Sequence, residues 1–299
     1  MKRILSILAV CLVAASCAST RNAVKTNPDI EAIKAAGWNW RKVGNSNVES
    51  TWASVKVFGS TQSISLVRFP IKKQELSVVD AGGPAAAATS SLAEAGEALA
   101  AINGSYFDME TLWPTTLIKD EGNVVCASTR PSELKRCNGL IRIDGSKVDI
   151  LSLDTLSYGK EIARWREAMV AGPVLLEEGR VIKYASKGSN EVADSYVNPK
   201  YFKKFYSKRH PRTLAGYTRS GWVYFIVVDG RFPGQADGMS IAELQTLSVA
   251  LGLYESINLD GGGSSTLWVK TDGVLNHPYD NKTFDHAGER AVPNVLIVK

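Results

Sequence analysis

The stretch that decides the fold reads SINLDGGGSSTLWV and runs from Ser256 to Val269. An apolar run ends in Asp260, three glycines and two serines follow, and a second apolar run begins after Thr266. Glycine lets the backbone approach a ligand closely, because it lacks Cβ and adopts positive φ readily. A phosphate loop would need a strand that leads into a helix, whereas the residues after Thr266 favour a strand. The stretch therefore predicts a turn between two strands, and a purely geometric role for its aspartate and glycines stays open at this point.

Composition and charge narrow the class of protein. The chain has 299 residues, of which 44% are hydrophobic and 22% charged, as in ordinary globular proteins. This length allows one large domain or two smaller ones. The net charge is +5, and subtracting Lys2 and Arg3, which lie in an expected leader, leaves +3. So small and dispersed a charge does not indicate nucleic-acid binding.

The N-terminus has the pattern of an export signal. Residues 2–13 comprise a basic pair and an apolar run, and small residues lead from there to Cys17. The apolar run is too short to span a bilayer. Small residues directly before a cysteine resemble a bacterial lipoprotein signal, and an ordinary signal peptide with an incidental cysteine is the alternative. We expect a signal peptide over residues 1–16, lipidation of Cys17, a tether over residues 17–27, and a lipid-anchored location in the bacterial cell envelope, periplasmic or at the cell surface.

Export to an oxidising compartment favours a disulfide between the remaining cysteines. Cys11 would leave with the signal and Cys17 would carry lipid, so that Cys126 and Cys137 remain. This pair predicts a disulfide that closes a small loop, and two buried thiols are the alternative. The three histidines lie far along the chain from this pair and do not indicate a metal site.

The first third of the chain predicts a strand meander and a short helix. Alternating apolar residues predict three strands: Trp52–Phe58, Ile64–Phe69 and Leu76–Asp80. Ser91 with Glu94 forms a capping-box pattern, which predicts a helix over Leu92–Ala100. We expect residues 28–98 to pack on a main domain that spans residues 99–299.

A hairpin near residue 220 places an arginine beside an aspartate. Two strand-like runs, residues 212–218 and 222–228, flank a three-residue loop. Pairing across this loop sets Arg212 opposite Val228, directly beside Asp229. A bulge in the loop would shift the pairing by one residue but would leave Arg212 at the same end of the hairpin.

A helix between this hairpin and the glycine stretch predicts a crossover. Ser240 and Glu243 form a second capping-box pattern, which opens a helix over Ile241–Leu251 and favours a structural role for Glu243. Strand, helix and strand within about forty residues form a βαβ unit. Asp229 and Asp260 would then end neighbouring parallel strands about 4.8 Å apart, close enough to couple their pKa values. The expected fold is therefore α+β (mixed α/β), with a central mixed β-sheet, a βαβ crossover near the C-terminus and flanking helices.

Seven short motifs together resemble the phosphodiester glycosidase family. In chain order they are INGSYF (102–107), AGPVL (171–175), RTLAG (212–216), VDGR (228–231), SIAELQTLSVALG (240–252), NLDGGGSST (258–266) and RAVPNVLIV (290–298). Each motif is weak alone, but seven in the family's order are specific. The resemblance implies that residues 99–299 form the catalytic domain. The first motif departs from the family's usual two glycines and two phenylalanines, because Ser105 and Tyr106 intervene, and the hydroxyl of Tyr106 could alter substrate choice.

The resemblance implies hydrolysis of a sugar 1-phosphodiester between the anomeric carbon and the phosphate oxygen, with an N-acetylglucosamine-like sugar. A phosphate monoester leaves readily, since its second pKa is about 6, so the reaction needs charge neutralisation more than a strong acid. Asp260 or Asp229 would activate water or attack the anomeric carbon, and Arg212 would neutralise the phosphate. The implied substrate-binding residues are Asn103, Gly104, Tyr106, Thr213, Gly261, Gly262, Gly263, Ser264, Arg290 and Asn294. We expect the two asparagines to hold sugar hydroxyls and the N–H groups of the glycines to contact the phosphate.

Two other functions stay open. A surface lipoprotein that binds glycans without cleaving them would need exposed aromatic platforms, for which Trp38, Trp40, Trp113 and Trp222 are available. A metal-dependent phosphodiesterase that uses the aspartate pair would lose activity with a chelator, and the scarcity of histidine ligands argues against it. We expect no cofactor, with Ca²⁺ on oxygen ligands left open. The expected partners are a sugar 1-phosphodiester or related glycan and the membrane, not nucleic acid.

Overall fold

A computed structural model describes residues 27–133, 136–153, 159–184 and 205–299. The predicted signal peptide, Cys17 and the tether up to residue 26 lie outside the described residues, so those predictions stay untested. Among the described helices, none combines the length and apolar character that crossing a membrane requires.

Strands dominate the described part of the chain. They are β1 Arg41–Lys42, β2 Glu49–Val57, β3 Ser60–Pro70, β4 Leu76–Asp80, β5 Ala100–Asn103, β6 Ile118–Asp120, β7 Asn123–Cys126, β8 Gly139–Asp144, β9 Lys147–Ser152, β10 Glu167–Ala171, β11 Val174–Glu177, β12 Arg180–Val181, β13 Arg212–Tyr217, β14 Trp222–Val228, β15 Glu255–Asn258, β16 Leu267–Val269, β17 Gly273–Val274 and β18 Asn294–Val298. The α-helices are α1 Pro28–Lys34, α2 Thr89–Ala95, α3 Gly159–Ile162 and α4 Ile241–Ala250. Two 3₁₀ turns span Ile71–Lys73 and Gly262–Ser264.

Within the described ranges the strands form three sheets, and every strand pair in them is antiparallel. The largest sheet has the order β1-β2-β3-β14-β13-β15-β11-β12. The second has the order β7-β6-β10-β8-β9, and the third has the order β17-β16-β5-β18-β4. Strands from the first third of the chain join both the large and the third sheet, because β3 pairs with β14 and β4 pairs with β18.

The predicted fold class, α+β with a central mixed sheet and flanking helices, is wrong, because the described chain is mostly β and forms three antiparallel sheets. The sequence predicted a mixed sheet in which β14, a helix and β15 form a βαβ unit of neighbouring parallel strands. In the structure β13 lies between them: Leu214 pairs with Ile226 of β14 on one side and with Asn258 of β15 on the other. The two strands therefore run in the same direction without touching. The predicted βαβ unit is therefore not formed, because the hairpin strand β13 occupies the place beside β15.

Local pairing within that hairpin was predicted correctly. Arg212 pairs with Val228, and the register continues without a bulge to Tyr217 opposite Val223. Three loop residues suffice because Thr218 and Trp222 close the turn through the N–H of Thr218, which donates to the Trp222 carbonyl at 2.9 Å.

The large sheet lies between two apolar layers. One face shares a core cluster with the helices, in which Leu66 and Ile226 join Leu247 of α4. The opposite face shares a second cluster with the other two sheets, in which Phe225 joins Ile102 of β5. Full burial of each such side chain stabilises the fold by about 1.5–3 kcal/mol. The sheet is thus packed on both faces, and the loops that follow its strands lie at the strand ends.

One of the two predicted capping boxes is present. In α4 the Glu243 N–H donates to the Ser240 hydroxyl at 3.3 Å, and the Ser240 N–H donates to the Glu243 carboxylate at 2.8 Å. The other prediction is wrong, because α2 begins at Thr89 and its N-cap, Ala88, has no side chain that can accept a hydrogen bond. Ser91 therefore lies inside the helix rather than at its start.

The predicted disulfide between Cys126 and Cys137 is not formed. The β6–β7 hairpin directs the Cys126 thiol towards the backbone carbonyls of Ser128 and Pro114, at 3.2 and 3.5 Å. Cys137 is buried in a separate apolar cluster with Leu117 and Leu140. Sequence proximity did not bring the two thiols together, because each belongs to a different packing unit.

Candidate functional site

The glycine turn connects β15 to β16, as the sequence predicted, and neighbouring loops hold it in place. The N–H of Asp260 donates to the Gly104 carbonyl at 3.0 Å, and the N–H of Gly262 donates to the Pro211 carbonyl at 2.9 Å. A Cβ on Gly261 would lie 2.8 Å from that same carbonyl, so only glycine lets the two backbones pack this closely. Gly262 has a φ of +68°, which glycine adopts without strain.

Asp260 lies at the start of this turn and is partly exposed. Its Oδ1 accepts the N–H of Gly261 at 2.9 Å. Burial raises the pKa of Asp260, while the charge of Arg136, the hydroxyl of Ser264 and the Gly261 N–H act in the opposite direction. The carboxylate is thus desolvated but lies in a positive environment, which is a suitable setting for a group that gains or loses a proton during a reaction.

Two arginines lie against the glycines of the turn. The guanidinium of Arg290 occupies the space where a Gly263 side chain would stand, and its Nε donates to Asp280 at 3.0 Å. A terminal nitrogen of Arg231 lies 3.2 Å from where a Cβ on Gly262 would stand. Arg231 also has a φ of +67°, a conformation that costs energy outside glycine. The missing glycine side chains therefore make room for two cations beside the turn.

A third arginine approaches from the loop before β8. The guanidinium of Arg136 lies 3.8 Å above the centre of the Tyr106 ring and donates to Glu133 at 2.6 Å. Its charge lowers the pKa of Asp260 against the effect of burial. Cations over an aromatic face are held in one orientation. Arg136 is thus fixed where its field acts on Asp260.

Asp229 is fully enclosed and has partners on both oxygens. Its side chain is 1% exposed. Oδ1 accepts the Asn276 amide and the His277 N–H, each at 2.9 Å, and Oδ2 accepts the Ser63 hydroxyl at 2.6 Å. Oδ2 also lies 2.9 Å from Nδ1 of the His277 ring. Since a carboxylate can only accept, Nδ1 is the protonated nitrogen in this pair.

The ring of His277 is held on its faces as well as through Nδ1. It stacks on Phe284 with ring centres 3.8 Å apart and meets Trp52 edge-on at 6.0 Å. Asn276 joins this group to the glycine loop, since its amide donates to the Ser265 carbonyl at 3.0 Å. Asp229, Asn276 and His277 therefore form one rigid unit attached to the end of the loop.

Arg212 is buried, with its guanidinium on backbone carbonyls rather than on a carboxylate. Nε donates to Met239 at 2.9 Å, and one terminal nitrogen donates to Phe205 and Lys208 at 3.0 Å each. Burial, with the nearby charges of Arg231 and Arg136, lowers its pKa to about 10, so it stays a cation at neutral pH.

The positive field of these arginines is also felt by a histidine. Burial, together with Arg212, Arg231 and Lys208, lowers the pKa of His210 to about 4. His210 is therefore neutral at neutral pH, because burial and the neighbouring cations both disfavour its protonated form.

The remaining predicted site residues lie beneath the turn and hold it. Asn103 is completely buried: its oxygen accepts the Thr213 hydroxyl at 2.7 Å, and its amide donates to the Asp260 carbonyl at 2.8 Å. Asn294 is equally buried, and its oxygen accepts the N–H of Ser105 at 2.8 Å. The structure thus gives both asparagines internal partners, at the positions where the sequence predicted contacts with sugar hydroxyls.

Tyr106 and Gly104 belong to the same supporting layer. The Tyr106 hydroxyl donates to the Gly172 carbonyl at 2.9 Å and accepts the Asn258 amide at 3.0 Å, and its ring is 2% exposed. A Cβ on Gly104 would lie 2.9 Å from the Asn294 carbonyl. The extra hydroxyl of Tyr106 therefore acts inside the protein, under Arg136.

The structure brings the predicted residues to one end of the large sheet, but not in one contact. Asp229 and Asp260 follow β14 and β15, and because β13 lies between these strands, the two strands are about 10 Å apart, two strand spacings rather than one. The sequence-based coupling of the two carboxylates loses its geometric basis. Asp260 has the arginines as neighbours, whereas Asp229 has His277.

Four residues of the site were not singled out from the sequence: Arg136, Arg231, Asn276 and His277. Arg231 lies within the VDGR motif at the end of a predicted strand, which is the signal by which it could have been found. Asn276 and His277 follow a short strand without a distinctive pattern. Arg136 lies in a loop that only tertiary packing brings to Asp260.

These features place a partly exposed carboxylate and several arginines together on loops at one end of an antiparallel β-sheet. The sequence model of the phosphodiester glycosidase family matches residues 96–299. The chain belongs to this family.

One curated relative is the bovine (Bos taurus) N-acetylglucosamine-1-phosphodiester alpha-N-acetylglucosaminidase, with 26% identity over 228 residues. The match covers 72% of this chain but 40% of the relative, so the chain spans less than half the length of that protein.

Solved structures share the fold at lower identity. The zebrafish N-acetylglucosamine-1-phosphodiester alpha-N-acetylglucosaminidase catalytic domain, auto-inhibited by its pro-peptide, has a TM-score of 0.67 at 20% identity, covering 85% of this chain and 84% of that one. A hypothetical protein from Synechocystis has a TM-score of 0.61 at 14% identity, covering 84% and 62%. A putative exported protein from Burkholderia pseudomallei has 0.58 at 15%, covering 81% and 74%.

Proposed function

We propose that this chain is an exported, lipid-anchored glycoside hydrolase that cleaves the bond between an N-acetylglucosamine-like sugar and the phosphate of a sugar 1-phosphodiester. The observation that carries the proposal is the position of Asp260 at a glycine turn flanked by Arg231 and Arg290. The family membership and the activity named for the bovine relative support the same substrate class. The leader pattern ending at Cys17 supports export and anchoring.

The phosphate would bind over the glycines. Arg290 and Arg231 stand beside Gly263 and Gly262, with no side chain between them and the backbone. A guanidinium presents several N–H donors to phosphate oxygens and stays charged. Negative charge develops on the phosphate as it leaves, and the two guanidinium groups would stabilise that charge in the transition state.

Asp260 would act on the sugar side of the scissile bond. Its carboxylate removes a proton from water, the water oxygen forms a bond to the anomeric carbon, and the carbon–oxygen bond breaks with its electron pair going to the phosphate. The raised pKa of Asp260 makes it a stronger base than an exposed aspartate, and Arg136 keeps it ionised.

Asp229 would act through His277 rather than on the substrate. The Asp229 carboxylate fixes the tautomer and the direction of the imidazole, which leaves Nε2 to exchange hydrogen bonds with a sugar hydroxyl. Arg212 would add positive potential from beneath the site and would not bind the phosphate directly, because its guanidinium already donates to backbone carbonyls. Asn103 and Asn294 would keep the turn in position under the sugar.

The test is the hydrolysis of a panel of N-acetylglucosamine 1-phosphodiesters, including UDP-N-acetylglucosamine, in water enriched in ¹⁸O. We expect free sugar as a product, with the label on its anomeric hydroxyl and not on the phosphate. Label on the phosphate, with loss of turnover in chelator, would instead identify a metal-dependent phosphodiesterase. Binding of the panel without any product would identify a glycan-binding protein.

A variant of Asp260 tests its role in the chemistry. Asp260→Asn should lower kcat by about 10²–10⁴-fold, the contribution of a general base. Asp272→Asn, an exposed aspartate outside the site, is the matched control and should keep full activity. Full activity of Asp260→Asn would remove this residue from the chemistry.

A further inference from the structure

A cavity lies at the loop end of the β13–β14 hairpin, away from the glycine turn. Its volume is about 420 Å³, within the range of small-molecule pockets of roughly 300–1,000 Å³. The side chains that give it chemical character are Lys147, Tyr217, Thr218, Arg219 and Tyr254. We call it the tyrosine cavity.

This cavity is separate from the glycine turn. Strand β13 begins at Arg212 beside the candidate active site and ends at Tyr217 in the tyrosine cavity. Five steps along an antiparallel strand cover about 17 Å. A ligand in the cavity therefore cannot contact Asp260, and the site needs its own explanation.

Two aromatic rings form its apolar part. The rings of Tyr217 and Tyr254 have centres 6.4 Å apart at an angle of 57°, and both side chains are half-buried. Half-buried tyrosines present an apolar face together with a polar edge, a combination that suits ligands with both characters. The tilted pair thus offers two surfaces on which a sugar ring can pack.

The polar part of the cavity is cationic. The guanidinium of Arg219 lies 4.3 Å from the centre of the Tyr254 ring, which orients it. Within the described parts of the chain, neither Arg219 nor Lys147 forms an ion pair. Both are exposed. The rim therefore carries two charges that no neighbouring carboxylate pairs with directly.

Several carboxylates lie near the cavity, among them Asp144, the cross-strand neighbour of Lys147, and Glu255, the cross-strand neighbour of Tyr217. Burial raises the pKa of Tyr217, and the charges of Asp149 and Glu255 raise it further. Asp149 is already paired with Arg142 at 2.6 Å. Burial also raises the pKa of Glu255, to about 7, so that a fraction of it is uncharged at neutral pH. Among the described residues, none of these carboxylates forms an ion pair with Arg219 or Lys147, so both cations are available to an anionic ligand.

We propose that the tyrosine cavity is a non-catalytic binding site for an acidic sugar unit, a sugar that carries a carboxylate or a phosphate. The tyrosines pack against the sugar ring, and Arg219 and Lys147 pair with its negative group. Such a site holds an anionic glycan on the protein at a distance from the glycine turn. It does not depend on the proposed hydrolysis and stands if no substrate is cleaved.

Isothermal titration with three probes tests the proposal: trigalacturonate for carboxylates, glucose 6-phosphate for phosphate, and maltotriose as the neutral sugar. All titrations use protein carrying Arg290→Ala, which weakens anion binding at the glycine turn. We expect at least one acidic probe to bind with an affinity that falls as salt rises, and maltotriose to bind about tenfold more weakly or not at all. The acidic probe that binds identifies the group that the rim recognises.

Substitutions locate the binding. Tyr254→Ala and Arg219→Gln should each weaken the acidic probe about fivefold or more. Arg166→Gln, an exposed arginine paired with Glu121 elsewhere on the surface, should have no effect. Arg219 is exposed, so its variant decides the matter if Tyr254→Ala lowers the melting temperature. Equal binding of maltotriose, unchanged affinity in Arg219→Gln, or no binding of either acidic probe would overturn the proposal.

Discussion

Replacement of Gly263 by alanine tests whether the glycine turn exists to make room for Arg290. A Cβ at this position would lie 2.6 Å from the Asp280 carboxylate and nearer still to the Arg290 guanidinium, whereas real Cβ atoms keep at least 3.0 Å from other heavy atoms. The backbone of Gly263 does not have a positive φ, so alanine fits the chain itself. The arginine side chain must therefore move away, because it is the flexible partner.

The size of the effect follows from the contacts that would be lost. A hydrogen bond to a charged group contributes about 1.5–3 kcal/mol, which corresponds to a fall of roughly 10- to 150-fold in kcat/KM. Stability should change little. Alanine reduces the entropy of the unfolded chain, for a gain of about 0.4–1 kcal/mol, and loss of the partly exposed Arg290–Asp280 pair costs about 0–1 kcal/mol.

The assay compares kcat/KM for a sugar 1-phosphodiester with the free energy of unfolding in urea. Gly159→Ala is the matched control, since a Cβ there meets nothing within 4 Å and its φ is not positive. It should leave activity unchanged. The double variant Gly263→Ala/Arg290→Ala should be no worse than Arg290→Ala alone, because both changes remove the same guanidinium. Full activity of Gly263→Ala, or additive losses in the double variant, would refute this account of the turn.

Three further predictions concern charge and thiols. Burial raises the pKa of Glu167 to about 7. The protonated side chain therefore contributes its full stability below the unfolded pKa near 4.5, and this contribution is lost as pH rises through 7. Glu167→Gln should be more stable than wild type at pH 8 by about 1–3 kcal/mol in urea unfolding, and no different at pH 4. Arg136→Met should raise the pKa of Asp260 and move the acidic limb of the kcat/KM profile to higher pH, while Arg136→Lys should restore much of it; an unmoved limb would mean that Arg136 does not act on Asp260. Because no disulfide is formed, a reductant should leave the melting temperature unchanged, as should Cys126→Ser; a lower melting temperature in reductant would show that a bridge exists.

Two predictions that depend on a few consecutive residues are confirmed. The hairpin pairing of Arg212 with Val228 follows from the loop length alone, and the capping box of Ser240 and Glu243 follows from one turn of helix. The capping pattern at Ser91 failed because the helix began two residues earlier than its cap. A short polar signal marks a helix end only where packing also places the end there.

Sheet order could not be read in the same way. The sequence shows that β14, α4 and β15 follow one another, but not that β13 pairs on both of its edges. That arrangement is decided by which apolar faces fill the two cores, a comparison between distant segments. The wrong strand order predicted that Asp229 and Asp260 form a carboxylate pair. In the structure Asp229 contacts His277, and Asp260 has arginines as its charged neighbours.

The candidate site shows the same division between local and distant information. The glycines of the turn are visible in the sequence because a run of three is rare, but their purpose is decided by Arg231 and Arg290, which arrive from loops on either side of them in the chain. Each of these glycines is required because another group approaches its backbone closely. At Gly261 the approaching group is a carbonyl, which is structural, and at Gly262 and Gly263 it is a cation. Gly261 is therefore required for the fold, whereas Gly262 and Gly263 leave room for the arginines that would bind an anionic ligand. Substitutions at the three positions should separate these two roles.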